Sequence, residues 1–249
     1  LNYKIVKSEV KRSRQDLVFY YREPFELVSF DQNVSFYDDW IEDIDEDTID
    51  EVLRFERKPL EVLFKVNGKE IMIILIAFKS KGVFITANFH KYQSVALANR
   101  KKLYGQAKKV RERLDNLMRE NPERAIIVMG DLNDEIGMDH FQKIVGASSV
   151  ETITGNIMEP EKIMHNALWH LKADDHNNDV WTTEYEDMIV ANRKKHRAWL
   201  DHIFISPGMM KENSEIKYIK DSGQIGEKNE TGFLASDHFP IFCEIEVNE

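Results

Sequence analysis

The stretch MGDLND at residues 129–134 follows directly on the apolar run AIIV, so a strand suited to burial ends in two carboxylates and an amide. Two more apolar strands carry the same residue types at one end. Asp131 and Asn133 close the first, Asp201 and His202 precede IFIS, and Asp237 and His238 precede FPIF. Strand ends are where a rigid sheet can aim side chains into a shared cleft. Taken singly, each cluster has an ordinary reading: an Asx turn for GDLND, a buried aspartate satisfied by backbone amides for LDH, a strand-entry cap for SDH. Their recurrence on three strands points to joint chemistry, and the chemistry that needs Asp, Asn and His together is metal-assisted hydrolysis of a phosphoester. Carboxylates hold a hard cation such as Mg²⁺, which keeps waters for substrate contact. The cation polarises a phosphoryl oxygen. One carboxylate orients the attacking water, an amide steadies a phosphoryl oxygen, and a carboxylate-supported histidine balances charge or moves a proton. No GxSxG or GxxxxGK[ST] motif occurs, so serine-hydrolase and P-loop chemistry have no support.

A mixed α/β framework must position those ends. DLVFYY (16–21) and FELVSF (25–30) read as strands joined at Glu23-Pro24 by a hairpin or a short connection. Asn67-Gly68 lies between LEVLFKV and KEIMIILIAFKS, a strong hairpin signal because both residues tolerate positive φ. From 94 to 119 the period becomes helical. Leu103, Ala107, Val110, Leu114 and Leu117 recur every three or four positions, and Asn121-Pro122 stops the helix. Arg100, Lys101, Lys102, Lys108, Lys109, Arg111 and Arg113 surround that stripe, as a solvated face or, alternatively, a phosphate-binding one. Residues 37–51 hold nine carboxylates in fifteen positions. They fail as a calcium loop, because Thr48 stands at the glycine position and Arg54 at that of the closing glutamate, and they read as an acidic solvated loop.

The whole chain fits a single globular domain, residues 1–249, with 42% hydrophobic and 31% charged residues. A net charge of −10 argues against coating nucleic acid by bulk attraction, while leaving room for a local basic patch. Cys243 is the only cysteine, which excludes an internal disulfide and a multi-cysteine metal site. The longest apolar run, IMIILIAF, is far too short to span a bilayer. No signal peptide is visible, and the chain begins at Leu1 rather than Met, so the compartment stays open.

GDLND (130–134), LDHIFIS (200–206) and SDHFPIF (236–242) resemble, in order and approximate spacing, the signature segments of the endonuclease/exonuclease/phosphatase superfamily, the pancreatic deoxyribonuclease-like fold. RQDLVFYYRE (14–23), RKPLEVLFKV (57–66) and AFKSKG (77–82) resemble its bacterial members, so the likeness covers most of the chain. The resemblance implies an α/β fold, a four-layer sandwich of two packed, largely antiparallel sheets. It also implies a divalent-metal-dependent phosphoesterase using Mg²⁺ (or Mn²⁺) on a phosphodiester, with nucleic acid among the candidate substrates. Carried over by position, Asp131 would orient or activate the attacking water and Asn133 would donate to the scissile phosphate. Asp237 would help bind the metal, and His238 would contact the phosphate, with Asp201 accepting from its imidazole and fixing the tautomer.

The departures from the pattern carry expectations of their own. Family members normally begin with an asparagine-bearing strand, a helix, and a strand ending in a glutamate that is the chief metal ligand; nothing before Gln15 matches. Losing that interior unit would open a sheet edge, so either an upstream segment, or residues 1–15 and a partner chain, are expected to cover it. Ala77 stands where bacterial relatives carry a histidine, and His90 is the candidate substitute. In NRKKHR (192–197), Arg193 and Arg197 are candidates to reach a substrate phosphate, with a solvated loop as the alternative. The competing functional class is a degenerate relative that binds a phosphorylated ligand or a protein partner through the same cleft.

Overall fold

Residues 60–77, buried on both faces over most of their length, build the centre of the molecule. The computed structural model describes residues 2–8, 16–31, 35–83, 88–173, 180–186, 195–227 and 236–248. In chain order its elements begin with β1 (Lys4–Lys7), β2 (Val18–Tyr21), β3 (Phe25–Asp31), β4 (Trp40–Glu42), β5 (Glu51–Leu53), β6 (Leu60–Val66) and β7 (Lys69–Ala77). Then come α1 (Phe89–Glu120), β8 (Ala125–Asp131), α2 (His140–Val145), α3 (Ser149–Thr154), β9 (His165–Asn166) and α4 (His170–Ala173). The last are β10 (Thr183–Glu186), β11 (Lys195–Ala198), β12 (Asp201–Ile205), β13 (Ile216–Tyr218), β14 (Gln224–Ile225), β15 (Ile241–Phe242) and β16 (Ile245–Val247).

The main sheet has the order β3-β6-β7-β8-β12-β9. Asn67 and Gly68 turn β6 into β7 with φ of 49° and 81°, the geometry their types permit. β7 and β8 are the parallel pair, joined by the 32-residue α1 as crossover; the other pairings in this sheet are antiparallel. Alternate residues serve opposite faces. Ile71, Ile73, Ile127, Ile203 and Ile205 face a core shared with Val6, Phe19, Ile216 and Tyr218 of the two-stranded ribbons. Ile74, Ile76, Ile126, Val128 and Phe204 face Leu103, Ala107, Val110, Leu114 and Leu117 of α1, so the helical stripe read from sequence is the buried one. By the same alternation Asp131, Asp201 and Ala77 belong to the ribbon side. The molecule is therefore an α/β sandwich with a helix layer, the large sheet and a layer of paired ribbons. Among the described residues no helix is long and apolar enough to cross a membrane.

Two local expectations are corrected. Residues 37–51 are not simply a solvated loop, because β4 and β5 pair as a ribbon. Lys101 on α1 grips that ribbon, with Nζ at 2.8 Å from Asp45 Oδ1, 2.9 Å from Asp47 Oδ2 and 2.5 Å from Glu51 Oε1. Burial works against the Lys101 ammonium, yet these three carboxylates outweigh it and push its pKa up. The basic face of α1 is likewise not merely solvated, because much of it is engaged in ion pairs. Lys108 pairs with Glu42, Arg100 with Asp139, and Arg113 makes a two-pronged contact with Glu61 at 2.9 and 2.8 Å. At Glu23-Pro24, of the two readings, the connection is what forms: β2 pairs with β1 and β3 with β6.

Gly130 stands one residue before Asp131 with φ +139°, and a Cβ there would lie 2.0 Å from the Ile76 carbonyl oxygen. Gly130→Ala should therefore destabilise the fold by about 2–4 kcal/mol, measured by urea unfolding, because the clash is with backbone that cannot rotate away.

Candidate active centre

Backbone pairing brings the first two carboxylates together. In the antiparallel β8–β12 register Asp131 lies opposite Asp201, and in the parallel β7–β8 register Ala77 lies opposite Asp131. β10 then docks the third segment. Thr183 forms a bridge with His238, Phe239 N donates to the Thr182 carbonyl at 2.6 Å, and Thr183 Oγ1 donates to the Asp237 carbonyl at 3.2 Å. As a result Asp131, Asp201 and His238 each place a potential ligand atom within 4.8 Å of the others.

Hydrogen bonds fix each member. His238 Nδ1 lies 2.7 Å from Asp201 Oδ2, so Nδ1 carries the proton and the carboxylate sets the tautomer. Thr182 Oγ1 donates to the same Asp201 oxygen at 2.6 Å and accepts from the amides of Leu200 and Asp201 at 3.0 and 3.1 Å. Asp131 accepts from Asn133 twice, from the backbone amide and from Nδ2, both at 2.8 Å. Asn133 Nδ2 also donates to the Phe78 carbonyl at 3.1 Å, so both of its amide hydrogens are engaged. Asn133 adopts φ +50°, which brings its side chain back onto Asp131. Burial first, and the Asp201 charge second, push the Asp131 carboxyl up to about 6. The His238 pKa is raised, chiefly by its hydrogen bond to Asp201.

Of the residues singled out from sequence, Asp131, Asp201 and His238 converge and Asn133 binds one of them. Asp237 is exposed, and its carboxylate is not in the convergent trio. His90 is exposed in the first turn of α1 and likewise stands outside the trio. Arg197 on β11 bonds Glu184 at 3.1 Å and lies over the Trp181 ring at 4.5 Å. Arg193 lies outside the described residues. Thr182 and Thr183 are not singled out in the sequence, since neither carries a charge or belongs to a recognisable motif.

A cleft of about 610 Å³ is lined among others by Trp181, Lys195, His196, Arg197, Trp199 and Glu135, and none of Asp131, Asp201 and His238 is among its lining residues. Glu135 Oε1 accepts from the Trp199 amide at 3.0 Å, and Trp199 Nε1 donates to the Asp201 carbonyl at 2.9 Å, which ties the cleft wall to the centre.

The endonuclease/exonuclease/phosphatase family profile matches residues 2–247. The chain belongs to this family. No curated protein matches it in sequence. A D. rerio TDP2 structure complexed with single-strand DNA product is 14% identical, with a TM-score of 0.55 over 98% of this chain and 77% of that one. The human Nocturnin catalytic domain with bound sulfate anion is 15% identical, with a TM-score of 0.51 over 99% and 73%. An endonuclease/exonuclease/phosphatase family protein from Bacteroides thetaiotaomicron is 14% identical, with a TM-score of 0.50 over 99% and 76%. At these identities the likeness establishes the deoxyribonuclease-like fold.

Two oxygen-donor carboxylates fit a hard divalent cation, with water and substrate completing its shell. Asp131 must be deprotonated to serve, so Mn²⁺ or Mg²⁺ affinity should fall about tenfold between about pH 7.5 and about pH 5, as calorimetry can measure. Asp201→Asn should lower the His238 pKa, observed by NMR titration of the ring, because the chief cause of its elevation is removed.

Proposed function

We propose that this family member is a divalent-metal-dependent phosphodiesterase that hydrolyses its substrate by water attack. The observation that carries the reading is the convergence of Asp131, Asp201 and His238, with His238 Nδ1 held 2.7 Å from Asp201. Asp131 is suited to orient the attacking water and to accept its proton as the new phosphorus–oxygen bond forms. His238, with its pKa raised by Asp201, is suited to sit protonated against the phosphoryl oxygens and to supply a proton to the departing oxygen. Asn133 orients Asp131, and would release one amide hydrogen to hold a phosphoryl oxygen. Mg²⁺ or Mn²⁺ held by Asp131 and Asp201, with Asp237 reaching it directly or through water, would neutralise charge on the phosphate.

The cleft walled by Trp199, which bonds the Asp201 carbonyl, is the place we assign to a neighbouring part of a nucleic-acid-type substrate. Lys195 and Arg197, both paired with Glu184, and His196 would supply cationic or hydrogen-bonding groups to a neighbouring phosphate as Glu184 yields them, and Trp181 offers an aromatic edge for a base. The TDP2 structure holds single-strand DNA and the Nocturnin structure an anion, which accords with that reading. The second reading, a relative that binds a phosphorylated ligand without turnover, is favoured by Ala77 opposite Asp131 and by the full engagement of the Asn133 amide.

Full-length protein with Mg²⁺ or Mn²⁺ should hydrolyse bis-p-nitrophenyl phosphate and single-stranded DNA. Asp131→Asn and His238→Ala should each lower kcat at least about 100-fold. Binding of a phosphorylated ligand without any hydrolysis would establish the second reading. Calorimetry should give a Mg²⁺ Kd in the millimolar range or weaker, since Mg²⁺ wants about six oxygens and two carboxylates supply few of them.

A further inference from the structure

His202 neighbours Asp201 in sequence but belongs to the other face of the sheet, with Phe204. It is fully buried, with its ring stacked between Trp199 (5.2 Å between centroids) and Phe204 (5.7 Å). Both ring nitrogens nevertheless have polar neighbours. Asn166 Oδ1 accepts from the Leu168 amide at 3.1 Å, which leaves Asn166 Nδ2 facing His202 Nδ1 at 3.0 Å. An amide nitrogen only donates, so Nδ1 accepts and the ring proton sits on Nε2. Nε2 then donates to the Asp134 carbonyl at 3.0 Å.

Asp134 is pinned at its other end too. Its buried carboxylate accepts from Gln142 Nε2 at 2.9 and 2.8 Å, from the Ser149 amide at 2.7 Å, from the Glu135 amide at 2.9 Å and from Lys81 Nζ at 2.8 Å. The residue before it is Asn133, in the left-handed region that L-residues enter only at a cost. That conformation aims the Asn133 side chain at Asp131, and it persists because both flanks are fastened.

We infer that His202, fixed as the Nε2–H tautomer by Asn166, is a positioning residue that ties the Asp201 strand to the Asp131–Asn133 turn from the side of the sheet opposite the substrate. It touches no reacting atom. Its bond to Asp134 holds the backbone that sets the Asn133 and Asp131 side chains, so the two strand ends that make the centre move as one unit. The role in turnover rests on the phosphodiesterase reading, whereas the brace itself does not.

The test uses the full chain as wild type, His202→Phe and His202→Gln. Phenylalanine keeps the stacked ring and loses both hydrogen bonds; glutamine restores a donor near the Nε2 position. Long-range ¹⁵N NMR of the wild type should show His202 protonated at Nε2 and bare at Nδ1. The Asn133 side-chain amide signals should shift in His202→Phe and return in His202→Gln. With Mn²⁺ and bis-p-nitrophenyl phosphate, His202→Phe should lower kcat about 10–100-fold with KM within about twofold, and His202→Gln should recover most of the loss. A purely structural role would lower the melting temperature of His202→Phe and leave kcat unchanged well below it. A wild-type proton on Nδ1, or a folded His202→Phe with unshifted Asn133 signals and kcat within about twofold of wild type, overturns the inference. Should His202→Phe fail to fold, the wild-type tautomer and the glutamine variant still decide the matter. A wild type that shows the expected tautomer and amide shifts but hydrolyses nothing sinks the phosphodiesterase reading and leaves the brace standing.

Discussion

Asp131 and Asp201 face one another across an antiparallel ladder, at one end and on one face of the central sheet. Like charges so placed repel, and burial makes Asp131 harder to ionise. Most of the polar detail nearby answers that repulsion. Asn133 folds back to give Asp131 two donors, Thr182 and His238 both bond Asp201 Oδ2, and β10 exists at this point to bring Thr182 and His238 in. A sheet that only needed to be stable would have placed apolar residues at both positions. Keeping two acids together is a local loss of stability, compensated by the apolar strands behind them.

The sheet separates this arrangement into two sides. On the ribbon side lie the groups suited to meet a substrate. On the helix side lies a second, largely buried polar system of Asn166, His202, Asp134, Gln142 and Lys81, in which every named hydrogen bond has a donor and an acceptor. Such a network costs little only when it is fully satisfied, and satisfied it is rigid.

Much of this was legible in sequence where the signal was local. Asn67-Gly68 named its turn, the apolar stripe of 103–117 named its helix and buried face, and three strand ends named Asp131, Asp201 and His238. What was not legible depended on partners distant in the chain. The acidic run 37–51 reads as solvated because Lys101, which pairs with three of its carboxylates, lies about fifty residues away on another element. Thr182 carries no periodicity and no charge, so nothing marked it until β10 was seen lying against Asp201. His202 was quoted beside Asp201 as one cluster, although strand alternation sends the two to opposite faces. Asn133 was read as a donor to phosphate, and its hydrogen bonds to Asp131 and the Phe78 carbonyl, reached through its left-handed φ, depend on the folded chain.

The parallel pairing of β7 with β8 also sets an order of events as the chain collapses. A tight antiparallel hairpin such as β6–β7 closes in roughly microseconds, because its two arms are already neighbours. β8 cannot find β7 until the whole crossover has been gathered, and β12 cannot find β8 until a further long stretch has followed. Loop-closure entropy therefore makes the Asp131–Asp201 register a late acquisition on the way to the native state. A half-assembled chain could hold its hairpin and its long helix and still have no centre at all.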